Sequence, residues 1–149
     1  MSDTARVPSR ADILAARDRI RPYVRRTPVL DPGPGAFGID VPLTLKLELL
    51  QHVGSFKPRG AFSKMLASEV PDAGVIAASG GNFGLAVAYA ARTLGHRAEI
   101  FVPSTSPEAK IARVREQSAD VCVIDGYYDD ASAAAHERAT ETEIGRAHV

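Results

Sequence analysis

The 149-residue sequence has no tryptophan, a single cysteine, and aromatic residues at only 6%. One thiol cannot close an internal disulfide, so the covalent framework of small secreted domains is excluded. Cys122 also sits inside the apolar run Val121-Cys122-Val123-Ile124, where it reads as a small core residue rather than a nucleophile. Charge of one sign is missing too: 18 basic residues balance 18 acidic ones. Without a net field there is no long-range pull toward nucleic acid or an anionic membrane, and neither partner is expected. No apolar run approaches the ~20 residues of a membrane-spanning helix. The opening residues, with Asp3 and Arg6, lack a signal-peptide layout. His52, His96, His136 and His148 have no metal-ligand spacing with one another or with Cys122. These absences point to a cytoplasmic chain of ordinary composition, 45% hydrophobic and 24% charged.

What is present has two rhythms. Residues 9–24 follow a helical period, with Ser9 as cap, Asp12 three residues on, and Ile13, Ile20 and Val24 on one face. Thr27-Pro28 ends that helix, and the turn-rich Asp31-Pro32-Gly33-Pro34-Gly35 follows. Residues 43–48 alternate apolar and polar, as a half-covered strand does. From Val75 the pattern is a short apolar run (75–78), a helix (83–94) stopped by Gly95, and a strand (100–102) ended by Pro103. A second helix (107–117) and a strand (121–124) come next, and the alanine-rich piece 131–135 reads as a surface helix. Such alternation predicts an α/β fold, a parallel sheet with flanking helices. The change of rhythm near Ala73 suggests two bodies: residues 1–71 as part of a larger domain, and 72–142 as a small α/β domain.

Two loops carry chemistry. In Gly54-Ser55-Phe56-Lys57-Pro58-Arg59-Gly60-Ala61, Pro58 suits the first helical position and pushes Lys57 out of helical angles. Lys57 then projects from the start of a helix, where the dipole opposes an ammonium by ~0.3–1 kcal/mol. Arg59 adds like-charge repulsion. Both effects favour the neutral amine, the form that attacks an aldehyde to make a Schiff base. The competing reading is an ordinary solvated lysine at a helix end.

The second loop, Ser79-Gly80-Gly81-Asn82-Phe83-Gly84, joins a strand to a helix. Ligands favour the carboxyl ends of parallel strands, and successive amides at a helix start make an anion site for phosphate or carboxylate. It is not a dinucleotide fingerprint, because Gly80 and Gly81 are adjacent and no acidic residue follows the next strand. No Gly-Lys-Ser or Gly-Lys-Thr occurs, which removes the Walker loop. A nicotinamide enzyme is therefore a weaker reading than a non-catalytic anion-binding α/β module.

Together the two loops resemble the fold-type II pyridoxal-phosphate enzymes, in their serine/threonine dehydratase (ammonia-lyase) branch. The resemblance runs from about residue 13 to 130 and includes Arg26-Thr27-Pro28, Leu45-Lys46-Leu47-Glu48 and Leu94-Gly95. It implies that Lys57 carries the cofactor and is the catalytic base. It further implies that Phe56 packs on the cofactor ring and Asn82 contacts the ring hydroxyl. Ser79, Gly80, Gly81, Asn82 and Phe83 would then bind the substrate carboxylate. The implied reaction is β-elimination from threonine or serine to a 2-oxo acid and ammonia, in a homo-oligomer when full length. Departures choose the branch. Pro58 stands where cysteine and threonine synthases carry an acid, and Gly80 where serine racemases carry a serine. Phe83 replaces the histidine of many dehydratases.

The family's phosphate-binding loop and the partner of its pyridine nitrogen have no counterpart in these residues. The chain is thus expected to be an N-terminal fragment that turns over nothing alone. Its end, Glu143-Ile144-Gly145-Arg146-Ala147-His148-Val149, resembles a translated sequencing-adapter read-through, so residues 143–149 are expected to be non-native. Resequencing the native locus past the Thr142 codon should return a different continuation. A chromosomal frame encoding the same seven residues would reject this.

Overall fold

The computed structural model describes residues 7–142 and 144–146; residues 1–6, 143 and 147–149, with Asp3, Arg6 and His148 among them, lie outside the described residues. Helix α1 (Arg10–Ile20) begins with the expected capping box: Ser9 Oγ accepts from the Asp12 amide, and the Asp12 carboxylate accepts from the Ser9 amide. It stops four residues short of the predicted end, because Tyr23 N turns back to Ile20 O. Tyr23 and Val24 still pack on the core from that turn. The strand expected over 43–48 shrinks to two residues. β1 (Val29–Leu30) and β2 (Leu45–Lys46) pair antiparallel, and Glu48–Leu50 then winds into a 3-10 turn.

The remaining elements alternate: α2 (Lys57–Ala67), β3 (Val75–Ala78), α3 (Asn82–Leu94), β4 (Ala98–Pro103), α4 (Glu108–Arg115), β5 (Asp120–Ile124), α5 (Tyr128–Thr142) and β6 (Gly145–Arg146). The main sheet runs β5-β4-β3-β6 and is parallel throughout. Strand side chains alternate between its faces. Val75, Ala77, Ile100 and Val102 face a core shared with α2, α3 and α4, while Ile76 and Phe101 face α5. The α5 helix is therefore not the surface helix that its alanines suggested. Ala131, Ala135 and Ala139, spaced four apart, are buried and close the second face. Cys122 is half-buried in this second cluster, and burial pushes its thiol up, away from nucleophile range.

The first core crosses the change of rhythm near residue 72. Phe62, fully buried, stacks on Tyr23 at 5.2 Å and meets Tyr89 edge-on at 5.9 Å. Ala61, Phe62 and Met65 of α2 share one cluster with Val75 of β3 and Val87 of α3. At the other edge, Val75 and Ile76 register with Gly145 and Arg146, inside the stretch read as foreign. An open parallel edge offers unpaired backbone groups that any extended dipeptide can meet.

A polar knot ties the first fifty residues to α2. Arg59 forks onto Glu48 with two 2.8 Å bonds, and Thr27 Oγ1 donates to the same carboxylate. Lys46 Nζ stands 3.6 Å from it. The Arg59 hydrogen bonds, helped by Thr27 and opposed by burial, hold the Glu48 carboxyl down to about 2, against an ordinary 4.5. A carboxyl held below its unfolded value stabilises the fold above pH 4.5, and that contribution drains away as pH falls toward 2. Glu48→Gln should therefore cost roughly 2 kcal/mol at neutral pH, allowing for partial solvent screening. It should also flatten the acid limb of the stability curve. Denaturant titrations of the full-length protein at several pH values measure both, and a variant with wild-type stability at pH 7 rejects the role.

Candidate active site

The segment entering α2 is held from several sides. Gln51 is buried, and both ends of its side-chain amide are bonded: Oε1 accepts from the Arg25 and His52 amides, and Nε2 donates to Arg25 O. His52 stacks on Tyr89 at 4.9 Å. Val53 sits at φ 56, an unusual angle for a β-branched residue, and Gly54 follows at φ 78. Arg113 of α4 donates to the Val53 carbonyl across the fold. The chain then turns into α2.

That turn differs from the sequence expectation. Lys57 is itself the first helical residue rather than a non-helical junction, and Phe56 is the cap residue at φ −70, ψ −14. Pro58 consequently takes the second helical position, which costs no hydrogen bond because the first four amides of a helix lack intrahelical partners. The expected repulsion from Arg59 is also removed, since its guanidinium is spent on Glu48 and on Arg25 O.

Lys57 is half-buried, with Nζ 5.1 Å from the Phe56 ring centre and 5.9 Å from that of Phe83. Among the described residues it has neither a carboxylate nor a hydrogen-bond partner. The fold thus brings Phe56, Lys57 and Phe83 together, from the N-terminal ends of α2 and α3. Burial accounts for the other predicted residues. Phe56 is 58% exposed, Asn82 is exposed, and Ser79, Gly80 and Gly81 are intermediate.

The 79–84 turn is locally braced. Ser79 N donates to Phe101 O on the neighbouring strand, and Ser79 Oγ accepts from Gly81 N at 3.2 Å. No side chain caps α3 at Gly81, and the amides of Asn82, Phe83 and Gly84 find no acceptor among the described residues. The Asn82 side chain is likewise unbonded there. Gly84 is required by space: a Cβ would collide with Ser79 O and lie 3.0 Å from Ile100 Cγ2. What converges here is one amine between two aromatic rings, beside free helix-start amides that suit an anion.

Comparison with known proteins places this arrangement. A profile described as pyridoxal-phosphate dependent enzyme matches residues 20–148. The chain belongs to this family. Phenylserine dehydratase of Ralstonia pickettii is 40% identical over 126 residues, which are 80% of this chain and 37% of that protein. The crystal structure of a T.th. threonine deaminase superimposes with a TM-score of 0.84 at 40% identity, over 95% of this chain and 45% of its own. Maize serine racemase gives 0.81 at 30% identity, over 91% and 42%. This family member therefore spans less than half the length of these relatives. Its α/β fold is that of the fold-type II enzymes, whose cofactor is pyridoxal phosphate.

The site's chemistry fits that cofactor. Lys57 offers an amine without a competing carboxylate, and Phe56 and Phe83 offer flat apolar faces for a pyridine ring. Ser55, two residues ahead of Lys57, holds a buried Oγ with no partner among the described residues. A basic cleft of about 740 Å³, lined by Arg17, Arg21, Arg25, Arg26, Lys46 and Arg59 among others, includes neither Lys57 nor any residue of the 79–84 turn.

Sequence reasoning did not single out Gln51, and no local pattern marks a buried glutamine that bridges twenty-six residues. Gln51→Ala should strip three hydrogen bonds from the loop before Lys57 and cost roughly 2–4 kcal/mol. It should also loosen cofactor retention. Thermal unfolding and visible absorbance after dialysis of the full-length protein check this, and an unshifted melting temperature would count against the clamp.

Proposed function

We propose that the full-length protein is a pyridoxal-phosphate-dependent ammonia-lyase that removes the β-hydroxyl of L-threonine or L-serine, yielding a 2-oxo acid and ammonia. The reading rests on Lys57, an amine set between Phe56 and Phe83 without a carboxylate partner among the described residues, at the edge of the glycine-asparagine turn. The dehydratase and deaminase relatives support it. Serine racemases among the relatives support a second reading, a racemase, although glycine at position 80 brings no hydroxyl of its own.

In this reading Lys57 Nζ would hold the cofactor. When bound, pyridoxal phosphate supplies the sink for electrons released at the α-carbon. The Lys57 amine is the group that would take the α-proton as general base. Ser79, Gly80, Gly81, Asn82 and Phe83 receive the substrate carboxylate, chiefly through the amides at the start of α3. Asn82 would offer its side-chain amide to the ring hydroxyl, and Phe56 and Phe83 would pack against the cofactor ring. Residues 1–71 would belong to the large domain and 72–142 to the small one. The protein would be a cytoplasmic homo-oligomer, and Ile13, Val29 and Leu30 leave apolar surface that a second subunit could cover.

The test uses the full-length protein. Its visible spectrum should contain a cofactor band that borohydride abolishes, with the reduced label on Lys57. Lys57→Ala should lower turnover of threonine and serine by roughly 10³-fold or more. The 149-residue chain alone should show no turnover. A colourless protein that cannot be reconstituted with pyridoxal phosphate rejects the enzyme reading and leaves anion binding.

A further inference from the structure

Gly80 has no side chain, yet the space beside its Cα is taken. An ideal Cβ at position 80 would overlap Ser106 Oγ and lie 3.0 Å from Ser106 Cβ. The Ser106 hydroxyl, nearer than its own Cβ, is thus directed at the 79–81 turn. Ser106 belongs to the loop that leaves β4, and β4 lies beside β3 in parallel register, with Ala78 opposite Phe101. Both loops leave the carboxyl ends of neighbouring strands, where α/β sheets hold ligands.

The backbone of Ser106 is fixed from two sides. Its amide donates to Pro103 O at 2.9 Å, closing a four-residue turn, and Pro107 restricts it from the other side as α4 begins. Its two hydroxyl neighbours serve the fold: Ser104 Oγ accepts from Gly126 N, and Thr105 Oγ1 donates to Gly126 O. The Ser106 hydroxyl alone of the three is bonded to nothing among the described residues, and Ser106 is half-buried.

We propose that Ser106 is a substrate-binding residue of this site, its hydroxyl donating to the carboxylate of an α-amino acid held on the 79–83 turn. It stands where a side chain at position 80 would stand, so Gly80 and Ser106 are a matched pair: a Cβ at position 80 would force the Ser106 hydroxyl to turn away and its Cβ to give way. The proposal rests on the reading of that turn as the carboxylate site.

Two measurements on the full-length protein test it. In the first, alanine, which lacks a β leaving group, is titrated against the cofactor absorption band. Ser106→Ala should weaken alanine binding and raise the KM for threonine and serine about tenfold, the loss of one hydrogen bond to a charged group. The cofactor band and kcat should change by less than about threefold. In the second, Gly80→Ala should lower the melting temperature of the cofactor-free protein, and adding Ser106→Gly should restore it. Binding of alanine within twofold of wild type in Ser106→Ala, or no rescue in the double variant, overturns the pairing. Formation of D-alanine by the wild type and not by Ser106→Ala overturns the binding role in favour of proton transfer by the same hydroxyl. A wild-type protein with no cofactor band overturns the enzyme reading as well, which separates the two failures.

Discussion

The seam between α2 and α3 is the contact on which the site depends. Lys57 and Phe83 lie in stretches of sequence with different rhythms, and they meet only because the two helices are packed side by side. Alanines make the approach possible: Ala86 and Ala90, on the same face of α3 as Phe83 and Tyr89, are fully buried and add little width. Phe62 supplies the opposite requirement, a large side chain locked between Tyr23 and Tyr89 that fixes where along the seam the helices sit. Sliding α2 by one turn, about 5.4 Å, would take the amine out of reach of Phe83.

Around that seam, the polar contacts that matter are those that close short loops onto it. The Arg59–Glu48–Thr27 knot and the Gln51 clamp both join the turns after α1 to the start of α2. Each is partly or wholly shielded from water, where a carboxylate or amide must be fully matched or become costly. The exposed pairs, such as Arg97 with Asp120 and Arg17 with Asp18, are screened and contribute little. Stability and positioning thus draw on the same few residues, because the helix that bears Lys57 also bears Arg59.

Much of this was legible in the sequence, and the exceptions share a cause. Periodicity located α3, β3, β4 and β5 well, since each buries a regular face; Gly95 ends α3 in the left-handed conformation that its position implied. The capping box at Ser9 was readable because all its atoms lie within four residues. The failures involve partners distant in sequence. Arg59 looked like a repulsive neighbour of Lys57 until Glu48 claimed it, and α5 looked solvated until Ile76 and Phe101 were seen beneath its alanines. The lysine and the glycine-asparagine turn could be singled out from the sequence, whereas the closeness of Ser106 to that turn could not. Its place is defined by the missing Cβ of Gly80, an absence that acquires meaning only across two adjacent strands.

The exposure of the site follows the same geometry. Phe56 and Asn82 face solvent, while Lys57 and Phe83 are only partly covered. The Lys57 amine is thus only half enclosed by the described residues. The seam and the two strand ends provide one wall and a floor. The relatives to which the chain is similar are more than twice as long. The position of the Lys57 amine between Phe56 and Phe83 is therefore set by the packing of α2 on α3.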